Sequence, residues 1–430
     1  MKRTPIQTLR NDIGCPAIFL LFFTLQVLLP VGSGGAATFT VNSGFDVQDL
    51  EPGNGLCVAY LVIIIPAVLP YCTLRGAIEE ANALAGEDTI LLGSGTYRLS
   101  LTGRDEDQAG SGDLDITDSV YIIGAGADKT FIDAAGLDRV FDIFGPDTVV
   151  SLSGLSIING KLPADGLMHR GGGLRNQGRL VINDVVISGN TLSGTSDEGG
   201  GIYNNGSCSI RDTTLHDNDA GLGGAVYNDV NGHLQVTAAT LHHNSSRGGG
   251  GIVNKGSARL TNTTFFANTA TGTNSLPGGA VRNSGNATLL HCTIAGNSST
   301  TGGGGIYNDN TLILINTIIA GNATGNCLLQ SGLISEGGNL DSGTTCGLFI
   351  RPDDIFDHDP LLAPLHNNGG LTPTMALRPG SPAIDAGIPS AQVTTDQRGL
   401  ARPRRKGFDI GAFELNNFSL APCIMPLLLP

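Results

Sequence analysis

The sequence predicts an all-β fold: a right-handed parallel β-helix with an N-terminal capping helix and a loop-rich C-terminal region. Three observations carry that reading: the composition, a repeat of about 25 residues, and apolar columns that keep their phase from one repeat to the next. The 430 residues include 63 Gly and no Trp, with 40% hydrophobic and 14% charged residues. That is too apolar for disorder and too rich in glycine for a helical protein. The glycines cluster, as in Gly248 to Gly251 and Gly302 to Gly305, and do not recur at every third position, which excludes collagen. Acidic residues outnumber basic ones by 38 to 24, so the surface repels phosphate backbones and nucleic acid is excluded as a partner.

Lys2, Arg3 and Arg10 precede or open an apolar run that extends from Pro16 to Pro30, and Gly34, Gly35, Ala36 and Ala37 follow it. That order predicts a secretory signal peptide over residues 1–37. The run is shorter than the ~20 residues that span a bilayer, so the mature chain is expected to carry no transmembrane helix. Cys15 lies before the run and not after it, which argues against a lipoprotein. The expected location is therefore extracellular, secreted or attached at the cell surface, where disulfides are permitted. Cys57 with Cys72 and Cys327 with Cys346 are close pairs that would each close a loop. Between the first two lies a second apolar run, Val58 to Tyr71, too short and too interrupted by proline to span a membrane. Packing on the end of the core and a contact surface are both open readings of it. From Thr73, TLRGAIEEANAL sets Leu74, Ala77, Ile78, Ala81 and Leu84 on one helical face behind an N-cap threonine, a lid for a solenoid end. Residues 38–87 thus read as a cap, 88–347 as the solenoid with irregular first coils, 348–414 as a loop-rich region and 415–430 as a tail.

Within the solenoid a Gly-Gly-x-x-x-Asn motif, with Ala in place of one further Gly in some copies, ends at Asn176, Asn204, Asn228, Asn254, Asn283 and Asn308, at intervals of 28, 24, 26, 29 and 25 residues. A second motif ends at Asn190, Asn218, Asn244, Asn268, Asn297 and Asn322, 14 residues after the first in five coils and 16 in one. Length variation is mostly confined to one corner, as in a solenoid that inserts loops between fixed strands. The third residue before the second Asn is Ile187, Leu215, Leu241, Phe265, Ile294 and Ile319, and the eighth is Ile182, Ile210, Val236, Leu260, Leu289 and Leu314. The fifth and tenth are small or apolar, so the inward phase runs −10, −8, −5, −3 and strand alternation is broken once. The break predicts a bend, where Asp184, Asp212, Asn262 and Asn316 stand, residue types that tolerate turn dihedrals. By the same phase Thr293 points to solvent. Cys208 and Cys292 fall in inward columns three coil spacings apart, roughly 14 Å, and are expected as buried free thiols. The state of Cys423 is left open.

Few residues suggest chemistry. His216 and His242 share the column two before the second Asn, with Asp217 and His243 beside them, so the imidazoles are expected to stack roughly 4.8 Å apart. They read as solvated corner residues, with a metal or proton-transfer site as the alternative. The six second-motif Asn residues read as a structural ladder that satisfies turn backbone. Asp105, Glu106, Asp107, Asp113, Asp115 and Asp118, and further on Asp353, Asp354, Asp357 and Asp359, lack EF-hand or nonapeptide spacing and read as solvated loops, with calcium as the alternative and no other cofactor expected. Gly124 to Thr130 lacks the glycine a phosphate loop needs and reads as a turn. Arg398 is expected to pair among Asp385, Asp409 and Glu414 and so tie the tail to the last coil.

The chain resembles a known group of proteins. Phe39 to Asn42 (FTVN) and CTLRGAIEEANA from Cys72 look like the CSLREA region at the start of exported bacterial proteins. The blocks 112–143, 367–377, SPAIDAG at 381–387, TDQRG at 395–399 and DIGAFE at 409–414 resemble the choice-of-anchor Q proteins, and the repeats are similar to polymorphic outer-membrane repeats. The resemblance covers nearly the whole mature chain and implies a secreted or surface-displayed bacterial β-helix protein. The chain departs from it in the apolar insert after Cys57, in CTLRG where the family reads CSLRE or CTLRA, and in a tail, Leu415 to Pro430, without a sorting signal. The expected function is a scaffold or adhesin-like protein without catalytic residues, its partner an extracellular polysaccharide or a cell-surface molecule. The alternative is a polysaccharide lyase or hydrolase on the same fold, which needs carboxylates for acid–base work or calcium, often with Arg or Lys, projecting from neighbouring coils. Against it, the outward columns are mostly Thr, Ser, Val, Ile, Ala and Gly, no GHG, RIK or WIDH string occurs, and Trp, the commonest sugar-stacking side chain, is absent.

Overall fold

Each coil lays down two strands at a bend and a third after a glycine corner. A computed structural model describes residues 35–416 except 65–66, 105, 273–276 and 349–350; the apolar segment of the expected signal peptide, Asp105, Cys423 and the tail from 417 lie outside these residues. The bent strands join in one sheet of 20, and the six Gly-Gly-x-x-x-Asn strands stack with three others in a parallel sheet of nine, from Leu114–Ile116 to Cys327–Leu329. A third ladder of six short strands runs from Lys161–Leu162 to Ser298–Ser299. The result is a parallel β-helix. Its register keeps the sequence columns in step: Ile187, Leu215, Leu241, Phe265, Ile294 and Ile319 pair across consecutive coils, and all six are fully buried. Cys208 and Cys292 are buried free thiols, and burial pushes both up to about 12.

Two local devices turn the chain. At the bend, Asp184, Asp212, Asn262 and Asn316 adopt φ of +54°, +48°, +47° and +48°, and Ala238 and His291 take the equivalent position at +55° and +51°. Asp and Asn visit this left-handed region more cheaply than other L-residues because their short side chains hydrogen-bond locally. At the glycine corner the first Gly has positive φ, as in Gly199 (+78°) and Gly223 (+66°), and the second lies against the next coil. A Cβ on Gly200 or Gly224 would stand 2.5 Å from the carbonyl oxygen of Gly224 or Gly250.

Both Asn columns are buried ladders. Asn190, Asn218, Asn244, Asn268 and Asn297 each donate Nδ2 to Oδ1 of the next coil's Asn at 2.9–3.0 Å. The row continues from Asn322 to Asn326 (3.0 Å) and ends on the Asp341 carboxylate (2.6 Å). The first-motif row, Asn176 to Asn308, repeats the pattern at 2.7–2.8 Å.

At the N-terminal end the helix Leu74–Ala83 starts at Thr73, whose Oγ1 accepts from Gly76 N, and buries Leu74, Ala77, Ile78 and Ala81. Cys57 and Cys72 form a disulfide, as do Cys327 and Cys346. The apolar insert between the first pair is an antiparallel hairpin, Tyr60–Ile64 with Ala67–Tyr71, closed at its base by a Tyr60–Tyr71 ring stack 4.7 Å apart.

The C-terminal region differs from expectation. Residues 372–415 form a wrap over the outer face of the bent sheet, from the third coil to the sixth. Thr240 Oγ1 donates to the Pro373 carbonyl (2.6 Å), Thr264 Oγ1 donates to Gln397 Oε1 (2.6 Å), and Asn316 exchanges two hydrogen bonds with Ile388. Thr293, expected in solvent, points outward as the phase requires but is only 1% exposed, because Ala412 N donates to its Oγ1 at 3.0 Å. Arg398 pairs with Asp396, not with Asp385, Asp409 or Glu414; the Glu414 carboxylate goes to Arg402 (2.9 Å), and Asp385 faces Arg405. The tie reaches four coils and not the last alone. Finally, Asp113, Asp115 and Asp354 are buried, so the acidic stretches are not wholly solvated loops. Gly124 to Thr130 is a turn, with Lys129 N and Thr130 N both donating to Gly126 O.

Candidate functional site

The second strand of each coil is three residues long, with its middle residue inward and the last facing out at a corner. Those last residues, Ser188, His216, His242, Phe266, Ala295 and Ala320, are in register down the solenoid. The following residue turns the corner in the left-handed region, Asp217 at φ +54° and His243 at +55°. The four residues singled out by sequence therefore come together. The His216 and His242 rings stack with centroids 4.9 Å apart and planes 1° apart. His216 Nδ1 lies 2.7 Å from Asp217 Oδ2, and His242 Nδ1 lies 2.8 Å from His243 Nδ1. His243 stands edge-on to Phe266 at 5.8 Å, which extends the ladder by one aromatic ring.

Burial, reinforced by the neighbouring His216 and His243, lowers His242 to about 4, so this imidazole is neutral at pH 7. As placed, the two stacked rings aim their nitrogen lone pairs in parallel. A zinc ion 2.0–2.1 Å from both needs convergent lone pairs, so one ring would have to turn.

Beyond Phe266 the ladder becomes the floor of a groove of about 480 Å³. Ala295 and Ala320 line it from the sheet, and Pro360, Leu362 and Met375 from the C-terminal segment that contains the hairpin of Leu362–His366 and Thr374–Leu377. Ser342 and Asp359 supply its polar rim. Sequence columns located the histidine end but could not locate the groove, because half its lining comes from outside the repeat.

A second open surface lies on the first-strand ladder. Ser209, Gln235, Arg259 and Thr288 follow one another across consecutive coils, with Ser207, His233, Ser257 and Asn286 in the column alongside. They line a shallow trough of about 310 Å³. His233 Nδ1 is 2.8 Å from Ser257 Oγ, and Arg259 donates to Gln392 Oε1 of the wrap at 2.9 Å, which fixes the guanidinium at the trough edge.

No family model and no curated protein matches the chain. Among solved structures, the pectate lyase Pel9A is similar over 89% of this chain and 98% of its own, at 15% identity and a TM-score of 0.45. Nothing about the chemistry of this chain follows from a likeness of that size. Among the described residues, no helix is long and apolar enough to cross a membrane.

Proposed function

We propose that the protein is an exported β-helix scaffold that binds an extracellular polysaccharide along its sheet face without cleaving it. The observation that carries this reading is the trough of Ser207, Ser209, His233, Gln235, Arg259 and Thr288. Hydroxyl, imidazole, amide and guanidinium groups recur there at the coil spacing of roughly 4.8 Å, a row of donors and acceptors suited to a polymer of hydroxyl-bearing units. The signal-peptide pattern of residues 1–37 and the resemblance to CSLREA and choice-of-anchor Q proteins support a secreted or cell-surface location.

A polysaccharide lyase or hydrolase is the second reading. It is favoured by the His216–Asp217 pair beside a neutral His242, in the column that continues through Phe266 into the groove. Incubation of the purified protein with neutral and acidic polysaccharides separates the two. Retention of one polymer with its chain length unchanged, weakened at least ten-fold in Gln235→Ala/Arg259→Ala, is expected. Shortened chains or unsaturated-uronate absorbance would establish the enzyme instead, and binding that ignores the double substitution would remove the trough from the proposal.

A further inference from the structure

The first coils carry a buried carboxylate cluster that the scaffold reading does not use. Strand Leu114–Ile116 sends Leu114 and Ile116 into the core and Asp115 to the opposite face. Asp115 is in register with Asp142 of the next strand, and Asp142 with Arg175 of the one after. One oxygen from each of Asp113, Asp115 and Asp142 lies within 4.8 Å of the others, and the three residues are 2%, 0% and 1% exposed.

Two of these carboxylates have cationic partners. Arg139 donates to Asp113 at 2.6 Å and to Asp142 at 2.9 Å, and Arg175 Nε donates to Asp142 Oδ1 at 2.7 Å. Asp115 differs: Oδ2 accepts from Ala109 N at 2.8 Å, and Oδ1 has no hydrogen-bond partner among the described residues. A fully buried, half-satisfied carboxylate beside two others is costly unless a positive charge meets it. The cover is a loop held from the other side by buried Arg75. Its guanidinium pairs with Asp46 and donates to the carbonyls of Ala109 (2.6 Å), Gly112 (2.8 Å) and Asp113 (3.0 Å).

We propose that Asp113, Asp115 and Asp142 hold a divalent cation of calcium size and that this ion fastens the 106–112 segment, which bonds Asp115 through Ala109 N, over the first coils. Calcium takes oxygen ligands in flexible geometry and tolerates an irregular set such as three carboxylate oxygens that all lie within 4.8 Å of one another; magnesium, with near-ideal octahedral demands, is the less tolerant ion. An ion bonded to Asp115 Oδ1 supplies the partner that this oxygen lacks among the described residues.

The test uses the full chain, dialysed against EDTA and then titrated with Ca²⁺ or Mg²⁺. Expected are one Ca²⁺ per chain by calorimetry, a Tm raised by several degrees at millimolar Ca²⁺, a weaker response to Mg²⁺, and slower hydrogen exchange across 101–115. Asp115→Asn should lose the Ca²⁺-dependent rise while its EDTA-treated Tm is no lower than that of the EDTA-treated parent, since the amide can still accept from Ala109 N and needs no cation beside it. No Ca²⁺ bound at millimolar concentration, unchanged exchange in the 101–115 segment of the parent protein, or a full Tm response in Asp115→Asn would each overturn the proposal. The exchange measurement needs no variant, so it stands if Asp115→Asn fails to fold.

Discussion

In the repeat coils the two buried ladders are built of neutral amides that bond to copies of themselves one coil away, such as Asn244 to Asn268 at 2.9 Å. The C-terminal wrap is held together by buried charged groups with unique partners, Arg402 with Glu414 and Arg398 with Asp396, while neutral groups, Ala412 N and the Gln397 amide, join it to Thr293, Thr264 and Thr240 in coils 119–157 positions distant in sequence. The contrast teaches where each region is vulnerable. A missing amide leaves only neutral donors and acceptors short of a partner, whereas a missing guanidinium leaves a carboxylate in the interior with no solvent to receive it.

The contrast is tested hardest at Arg402. Its side chain is fully buried and donates to Glu414 Oε2, the Asp409 carbonyl and the Gly411 carbonyl. Arg402→Met should cost about 3–5 kcal/mol in urea unfolding, because Glu414 stays behind without its partner; a cost below about 1 kcal/mol would show that the wrap is not held by its charges. In the coils, Ile294→Ala should open a cavity between Phe265 and Ile319 and cost about 2–5 kcal/mol, loosening coils four to six first in hydrogen exchange. Asn268→Ala removes the acceptor of two bonds from Asn244 and the donor to Leu241 O and Asn297 Oδ1. About 1–3 kcal/mol is expected, with protection lost in the two neighbouring coils.

Thr293→Ala probes the seam between the regions. Loss of the hydroxyl that Ala412 N donates to should cost about 1 kcal/mol and speed exchange at the Ala412 amide. An unchanged Ala412 amide would mean the wrap does not seat on this coil. A separate effect concerns pH. His242 has its folded pKa depressed from 6.5 to about 4, so its contribution to stability is complete above pH 6.5 and is lost as pH falls toward 4, where the unfolded chain already carries the proton. An NMR titration of the ring should give a midpoint near 4, and a midpoint near 6.5 would place it in open solvent.

The coils were legible because their determinants are local and repeated. Ile294 and its column, the bend residues Asp184 and Asn316, the thiols Cys208 and Cys292, and the His216–His242 stack all follow from a period-two strand broken once per coil. Phase alone, however, says which way a side chain points and not what lies beyond it. Thr240, Thr264 and Thr293 point outward as read, and they are buried because a distant, aperiodic segment covers them. Asp113 and Asp115 misled for the same reason. In sequence they belong to a Gly-rich acidic stretch that reads as solvent-exposed, and only the fold brings Arg75, Arg139 and Asp142 around them. The groove beyond Phe266 needs Leu362 and Met375, which no repeat column contains.

The Asn row also bears on how such a chain can change its length. Every internal rung presents the same donor to one neighbour and the same acceptor to the other, so a whole coil can be duplicated or deleted and the row rejoins itself. The Asp341 terminus sits after the last rung and is indifferent to how many precede it. That freedom ends where the wrap begins: Thr240, Asn262, Thr264, Thr293 and Asn316 must meet Pro373, Thr395, Gln397, Ala412 and Ile388 in fixed order. Coil number is thus free to drift on the N-terminal side of Thr240 and is frozen from there to Asn316, which divides one uniform-looking array into an expandable part and a measured one.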